Sequence, residues 1–424
     1  MIKILKMKDI TVDDVLNRKI EDYGEYENTV KGIIAEVRAD GDAALFRFAK
    51  KFDGVTLDAL EVTEEEKNSA WERVSEDYKA MLQRAAANIV EFHKMQLHDG
   101  FEIKRADGTV LGQKYAPLAR VGIYVPGGTA SYPSTVLMNA VPAKVAGVDE
   151  IVMATPPDKE GRVRDEILAA ARIAGVDRIF KIGGAGAIAA LAFGTESVPA
   201  VDKITGPGNI FVALAKKQVF GTVGIDMVAG PSEILVIADE GADADTVAAD
   251  LLSQAEHDKL ASAVLVTADE ELAKKVAERI EVRLADLPRR EIARASVDNC
   301  GKIIIAESLG QAVEISNAIA PEHLELCVKN PFDLLKKIRN AGSIFLGYNT
   351  PEAAGDYYAG PNHTLPTGGS AKFSSPLSVD DFVKKSSYIY YTAEGFDGAI
   401  NDIVTFAESE GLQAHARSAE ARRK

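Results

Sequence analysis

The sequence predicts an α/β protein built from two doubly wound units. From about residue 120, short apolar β-rich runs that end in Gly or Pro alternate with small-residue helical segments, the texture of a parallel sheet with helices on its faces. The same alternation starts again after Gly230. The chain is 424 residues long and 46% apolar, enough to fill more than one core at roughly 100–200 residues per domain.

In chain order, residues 11–95 place apolar residues at helical spacing among charges, as in ALFRFAKKF (44–52) and YKAMLQRAAANIVEFHKM (78–95), which predicts an amphipathic, helix-rich first third. The first unit reads VGIYVPGG, EIVMATPP, RIFKIGGAG and KITGPGN, each a strand running into a tight turn. The second reads EILVIAD (233–239), a helix over about 243–256, SAVLVTAD (262–269), a helix through the 280s and KIIIAES (302–308). Near residue 380 the strands are expected to give way to DDFVKKSSYIYYT and a closing helix too short to hold a core of its own. That helix should pack on something else, a partner chain included.

Composition excludes several function classes. The formal net charge of −15 (49 Lys plus Arg against 64 Asp plus Glu) repels phosphate backbones and anionic lipid heads, so neither nucleic acid nor a membrane surface is expected as a partner. Charges interrupt every apolar run before the roughly 18 residues of a spanning helix, and MIKILKMKDITVDDVLNRK has no signal-like apolar core. Two cysteines, Cys300 and Cys327, form no disulfide framework, so a reducing, cytoplasmic location is expected.

The chemistry-bearing motifs are few. In GGAGAIA (183–189), Gly184, Gly186 and Ala189 satisfy the G-x-G-x-x-A dinucleotide spacing, but a strand-to-helix turn needs glycines with or without pyrophosphate. The acid expected about 20 residues on could only be Asp202. SQAEHD (253–258) sets Gln254 and His257 three apart, one helical face for two ligands of one cation, or else a solvated helix end. APEHLELCV (320–328) sets Glu322 and His323 at the mouth of a strand, where a carboxylate beside an imidazole suits proton transfer, or else a surface turn. The long Gly- and Pro-rich segment 352–382 carries Asp356 and His363, as functional loops do. Gln254, His257, Asp356 and one further histidine would make a nitrogen and oxygen set suited to zinc. Cys327, between Leu326 and Val328, reads as a buried and inert strand residue, and His93 and His98 read as structural.

SQAEHD, APEHLEL, GPSEILVIAD, GPNHTLPTGG followed by SPLSVDDF, and EGLQAHA, in this order and spacing, resemble the bacterial histidinol dehydrogenase family, and the resemblance runs from KFDGV (51–55) through NIVEFH (88–93) to His415. It implies four-electron oxidation of L-histidinol to L-histidine through bound L-histidinal, with NAD and one zinc ion (Zn2+) per subunit. It implies metal ligands Gln254, His257 and Asp356, with His415 supplied by the other chain of a homodimer with shared active sites. Glu322 and His323 would be catalytic. Ser232, Gln254, His257, His323, Asp356, His363, Glu410 and His415 would contact substrate, and Tyr124, Gly186 and Asn209 would face NAD. It further implies two Rossmann-like domains plus small end pieces: an N-terminal arm (1–22), a discontinuous catalytic α/β domain (23–124 and 234–376), an NAD-binding Rossmann-like domain (125–233) and a small C-terminal helical domain (377–424) packing on the partner subunit. The family reads GGAQAIAAL where this chain reads GGAGAIAAL, so a glutamine that touches NAD is replaced by Gly186 and the fingerprint is partly a product of that change.

Three other readings compete: a paralogous zinc and NAD enzyme for another polyfunctional alcohol such as a sulfonated diol, a zinc hydrolase using Glu322, and a module that only captures metal and imidazole compounds. Retention of Glu410, His363 and His415 argues against the first, and the hydrolase leaves the Gly-rich strand ends at Tyr124 and Asn209 without a role.

Overall fold

The computed structural model describes residues 2–11, 23–127 and 132–423; residues 12–22 of the expected arm and 128–131 of the VPGGTASYPS turn lie outside the described residues. The chain divides into two compact units, one of residues 1–96 and 118–382, the other of 97–117 and 383–424.

In chain order the strands are β1 (Lys3–Lys6), β2 (Phe101–Lys104), β3 (Val110–Pro117), β4 (Arg120–Tyr124) and β5 (Glu150–Thr155). Next come β6 (Arg178–Lys181), β7 (Lys203–Thr205), β8 (Gly224–Ile225), β9 (Glu233–Ala238) and β10 (Ser262–Thr267). The last four are β11 (Lys302–Ile305), β12 (His323–Cys327), β13 (Ser343–Leu346) and β14 (Val383–Tyr390).

The first unit holds two all-parallel sheets, in the orders β6-β5-β4-β7-β8 and β1-β11-β10-β9-β12-β13. Parallel strands are covered on both faces, so they read as unbroken apolar runs; Ile234 to Ala238 are all buried. The helices Ala244–Ala255 and Glu270–Asp286 cover one face of the larger sheet and Leu309–Ile319 the other. Local signals set their starts: Asp243, Asp269 and Ser308 each cap a helix through a side-chain oxygen. Residues of the early helices Gly24–Asp40 and Asp42–Phe48 share one core with the helices Gly184–Phe193 and Ile210–Val219 against the smaller sheet.

Within 377–424, expected as a small helical domain, the second unit adds a strand ahead of the helices. Tyr388, Ile389 and Tyr390 lie on β14, which runs antiparallel to β3 from Val383↔Pro117 to Tyr390↔Val110, and β2 completes a three-stranded sheet. Alternating Lys, Ser and Tyr gives β14 no apolar face, which is why the run does not look like a strand in the sequence. The helices Ala393–Ser409 and Gln413–Glu420 follow.

A buried ion pair braces the end of β7. Lys216 and Asp226 pair with side chains 3% and 1% exposed, the ammonium also donates to the Gly206 carbonyl at 2.9 Å, and Asp226 accepts from the Gly206 N–H at 2.8 Å. Gly206 has φ +116°, and a Cβ there would overlap the Tyr124 carbonyl, so no other residue fits. The turn TGPGN is therefore held from both sides. Lys216→Met should strand a buried carboxylate and lower stability by about 3–5 kcal/mol. Lys216→Met with Asp226→Asn should cost less than the single change, both read as shifts of the urea midpoint; a larger loss in the double variant would reject the pairing account.

Candidate active site

Glu322 and His323 sit at the amino end of β12, which lies between β9 and the edge strand β13 of the larger sheet. The helix Leu309–Ile319 closes on Ala320, which takes φ +51°, an αL conformation that costs an L-residue about 1–2 kcal/mol. It is the one non-glycine residue with positive φ among those described. Pro321 then turns the chain into the strand. The neighbouring β9 clamps both side chains through one residue: the Glu233 N–H donates to Glu322 Oε2 at 2.8 Å, and the Glu233 carbonyl lies 3.1 Å from His323 Nδ1. Gly342 backs the pair, since a Cβ there would fall 2.5 Å from the Glu322 carbonyl oxygen.

Burial pushes Glu322 up to about 8, into the range of a base that works near neutrality. Burial pulls His323 down, but the Glu322 and Asp356 carboxylates outweigh it and raise the imidazole. His323 Nε2 faces Asp356 Oδ1 at 3.5 Å.

The short helix Glu352–Tyr357 presents Glu352 and Asp356 one turn apart, and ligand-capable atoms of His323, Glu352 and Asp356 lie within 4.8 Å of one another. Gln254, in the last turn of the helix Ala244–Ala255, is buried, and its Oε1 has no hydrogen-bond partner. Such an orphaned acceptor costs roughly 1–3 kcal/mol, which a cation would repay. Ser253 Oγ lies 2.6 Å from the Glu352 carboxylate. His257 lies exposed in the turn that follows the helix. His363 Nδ1 lies 3.1 Å from the Asp356 carbonyl; burial lowers its pKa, with the fields of His323 and His257 pushing the same way. The structure thus brings Gln254, His257, His323, Asp356 and His363 into one electrostatic neighbourhood, with Ser232 just before the Glu233 clamp. Glu352 was missed in the sequence, although its i, i+4 spacing from Asp356 was the available signal.

Glu410 and His415 belong to the second unit. Glu410 follows the helix Ala393–Ser409 as its cap, Gly411 breaks the helix at φ +74°, and His415 lies on the next helix. His93 is buried, with Nδ1 against the Ile89 carbonyl at 2.8 Å, and the exposed His98 stacks on Tyr115.

Beneath the cluster, Glu325 Oε1 accepts the Glu352 N–H at 2.8 Å, and Cys327 Sγ lies 3.8 Å from Glu325 Oε2. Burial and the adjoining Glu325 and Asp250 carboxyls push the Cys327 thiol far above its ordinary value, so it is no thiolate nucleophile.

On the smaller sheet a cavity of about 900 Å³ opens at the carboxyl ends of β4 to β7, where open α/β sheets take ligands, and Tyr124, Gly186 and Asn209 all line it. The buried Tyr124 hydroxyl accepts the Gly184 N–H at 3.0 Å. Asn209 caps the helix Ile210–Val219 through Oδ1, which leaves its amide N–H groups for another partner. A Cβ on Gly186 would meet Phe48 Cδ2 at 3.1 Å, so a side chain there must press on that ring. Asp202 is corrected as a ribose acid: it accepts the Ala119 and Arg120 N–H groups at 3.1 Å each, at the amino end of the sheet and away from the cavity.

A family model described as histidinol dehydrogenase matches residues 16–423. The histidinol dehydrogenase of Clostridium acetobutylicum is 55% identical over 405 residues, 96% of this chain and 94% of its own. That of Geobacter metallireducens is 55% identical over 429 aligned positions, 100% of this chain and 98% of its own. The crystal structure of histidinol dehydrogenase from Elizabethkingia anophelis superposes with a TM-score of 0.94 at 38% identity, covering 99% of this chain and 98% of that one.

Replacing Cys300 and Cys327 together by Ala should leave turnover within about an order of magnitude of the parent, because the thiol is buried and protonated. Abolished turnover in a double variant with unchanged circular dichroism would instead make a cysteine thiolate the nucleophile of aldehyde oxidation.

Proposed function

The chain belongs to the histidinol dehydrogenase family and is an oxidoreductase, and on that premise we propose that it oxidises L-histidinol to L-histidine through bound L-histidinal, with NAD as acceptor and zinc as resident metal. One observation carries this reading: a buried carboxyl and imidazole, clamped by a single β9 residue, face Asp356 beside an orphaned glutamine oxygen.

Gln254, His257 and Asp356 are the proposed zinc ligands, with His415 supplied by a second copy of the chain. The oxygen and nitrogen donors and the unsatisfied Gln254 Oε1 fit a divalent ion of this kind. Zinc would hold the substrate's imidazole and amine and so fix its alcohol carbon. Tyr124, Asn209 and the Gly186 turn are the proposed NAD contacts, and bound NAD would accept the hydride at each oxidation. Ser232, His363 and Glu410 are the proposed further substrate contacts.

The chain's own groups handle protons and water. His323 is proposed to take the alcohol proton. A cation on Asp356 would remove that residue's share of the pull that raises the imidazole, and the share of Glu322 would remain. Glu322, pushed up by burial, then activates the water that hydrates the aldehyde. Both groups stay aimed because the Glu233 main chain fixes them.

The purified protein is expected to yield about two NADH per histidinol with no free aldehyde, since both oxidations share one site; one NADH per substrate would reject the reading. Glu322→Gln should slow the second oxidation far more than the first, by about 10²-fold or more, because only the second needs activated water. Equal loss in both, measured with histidinal as a separate substrate, would make Glu322 structural. Shared sites can be read by refolding His415→Ala and Glu322→Ala chains together: mixed dimers carry one intact site, so random pairing should restore roughly a quarter of wild-type sites. Proven mixed dimers without activity would defeat the shared site.

A further inference from the structure

The cavity on the smaller sheet contains a carboxylate that the proposed function leaves unused. Asp53 ends the π-helical turn Ala49–Asp53, and Gly54 follows at φ +74°. Single π turns are rare and cluster at functional sites, where they re-aim a side chain. Asp53 is half-buried, and no hydrogen bond or ion pair to its side chain exists among the described residues. Two physical effects oppose its charge. It sits at a helix C-terminus, where the backbone dipole disfavours an anion. Burial pushes it up to about 6. Its field also raises the Tyr124 hydroxyl. The other cavity acids are accounted for: Asp158 accepts the Glu160 and Arg162 N–H groups at 3.0 and 2.8 Å, and the Glu160 side chain is 65% exposed. A carboxylate held against these costs, with no partner of its own, is arranged for a ligand that donates hydrogen bonds.

The surroundings say which part of a ligand. Leu45, Phe48 and Phe52 line the same wall, the two rings 5.6 Å apart, and Phe52 is 58% exposed beside the opening. An aromatic wall beside one acceptor suits a purine with its ribose, base on the rings and hydroxyls on the carboxylate.

We propose that Asp53 is the residue by which this site selects its dinucleotide, accepting hydrogen bonds from the 2′- and 3′-hydroxyls of the adenosine ribose and repelling a 2′-phosphate. The inference rests on the reading of this cavity as the NAD site and adds to it the exclusion of NADP. A charged acceptor to a diol is lost when the carboxylate becomes an amide, while the repulsion of a dianionic phosphate is relieved by the same change, so the two cofactors must respond in opposite directions.

The test is direct binding, by fluorescence titration of the zinc-loaded protein with NADH and with NADPH, for the parent, Asp53→Asn and Asp53→Ala. The parent should bind NADH at least about 30-fold more tightly than NADPH. Asp53→Asn, near-isosteric and checked for an unchanged unfolding midpoint, should weaken NADH about 3–10-fold and tighten NADPH, and Asp53→Ala should weaken NADH further. A preference unchanged in both variants, or both cofactors weakened alike, overturns the assignment and makes Asp53 structural while the NAD site stands. A parent that binds neither cofactor overturns the NAD reading, and this inference with it.

Discussion

The geometry of the candidate site depends on the main chain of Glu233. One peptide donor and one peptide acceptor, separated by a single residue at the start of β9, fix the carboxyl of Glu322 and the ring of His323. Because β9 and β12 are adjacent parallel strands in register, His323 beside Ile234, the clamp comes with the sheet. Two features hold the facing side of the dipeptide: the αL turn at Ala320 and the absence of a side chain at Gly342. A backbone clamp is stiffer than a side-chain network, since it moves only if the ladder moves.

The site also sits at the unexpected end of its sheet. Ligands of open parallel sheets usually gather at the carboxyl ends of strands, and the cavity lined by Tyr124 and Asn209 follows that habit. Glu322, His323 and the Glu233 clamp occupy amino ends instead, in the larger sheet. Below them a layer of buried acids does structural work: Glu325 reaches from β12 to hold the first N–H of the helix that carries Glu352 and Asp356. The charge of the exposed field and the chemistry of the buried one are therefore separate matters in this protein, and the net acidity of the chain says nothing about the local balance at Asp356.

Much of the parallel architecture was legible in the sequence, because strands buried on both faces leave unbroken apolar runs; EILVIAD, SAVLVTAD and RIFKI each became a strand followed by a helix. The helix expected over about 243–256 is Ala244–Ala255. β14 was not, since VKKSSYIY alternates polar residues on both faces and pairs with a segment far away in the chain. Asp202 was misplaced for a related reason: its distance along the chain suits a ribose acid, but strand direction puts it at the wrong end. Glu352 went unread because an acid one turn before Asp356 looks like any solvated helix start until its burial is known.

The strand exchange in the second unit bears on how the chain is made. Thr392 bonds to the Asp107 carbonyl at 2.8 Å across 285 residues of sequence, and β14 meets β3 over a similar span. During vectorial synthesis, the β2–β3 hairpin must therefore wait as a two-stranded ribbon, of marginal stability in water, until the residues of β14 have emerged. Loop entropy alone makes such a closure only modestly unfavourable, because its cost grows with the logarithm of length. The delay is kinetic: an edge of β3 stays open for the time that translation of the intervening residues takes, so a ribosome-bound chain stalled before Val383 carries an unpaired strand that another nascent chain can occupy.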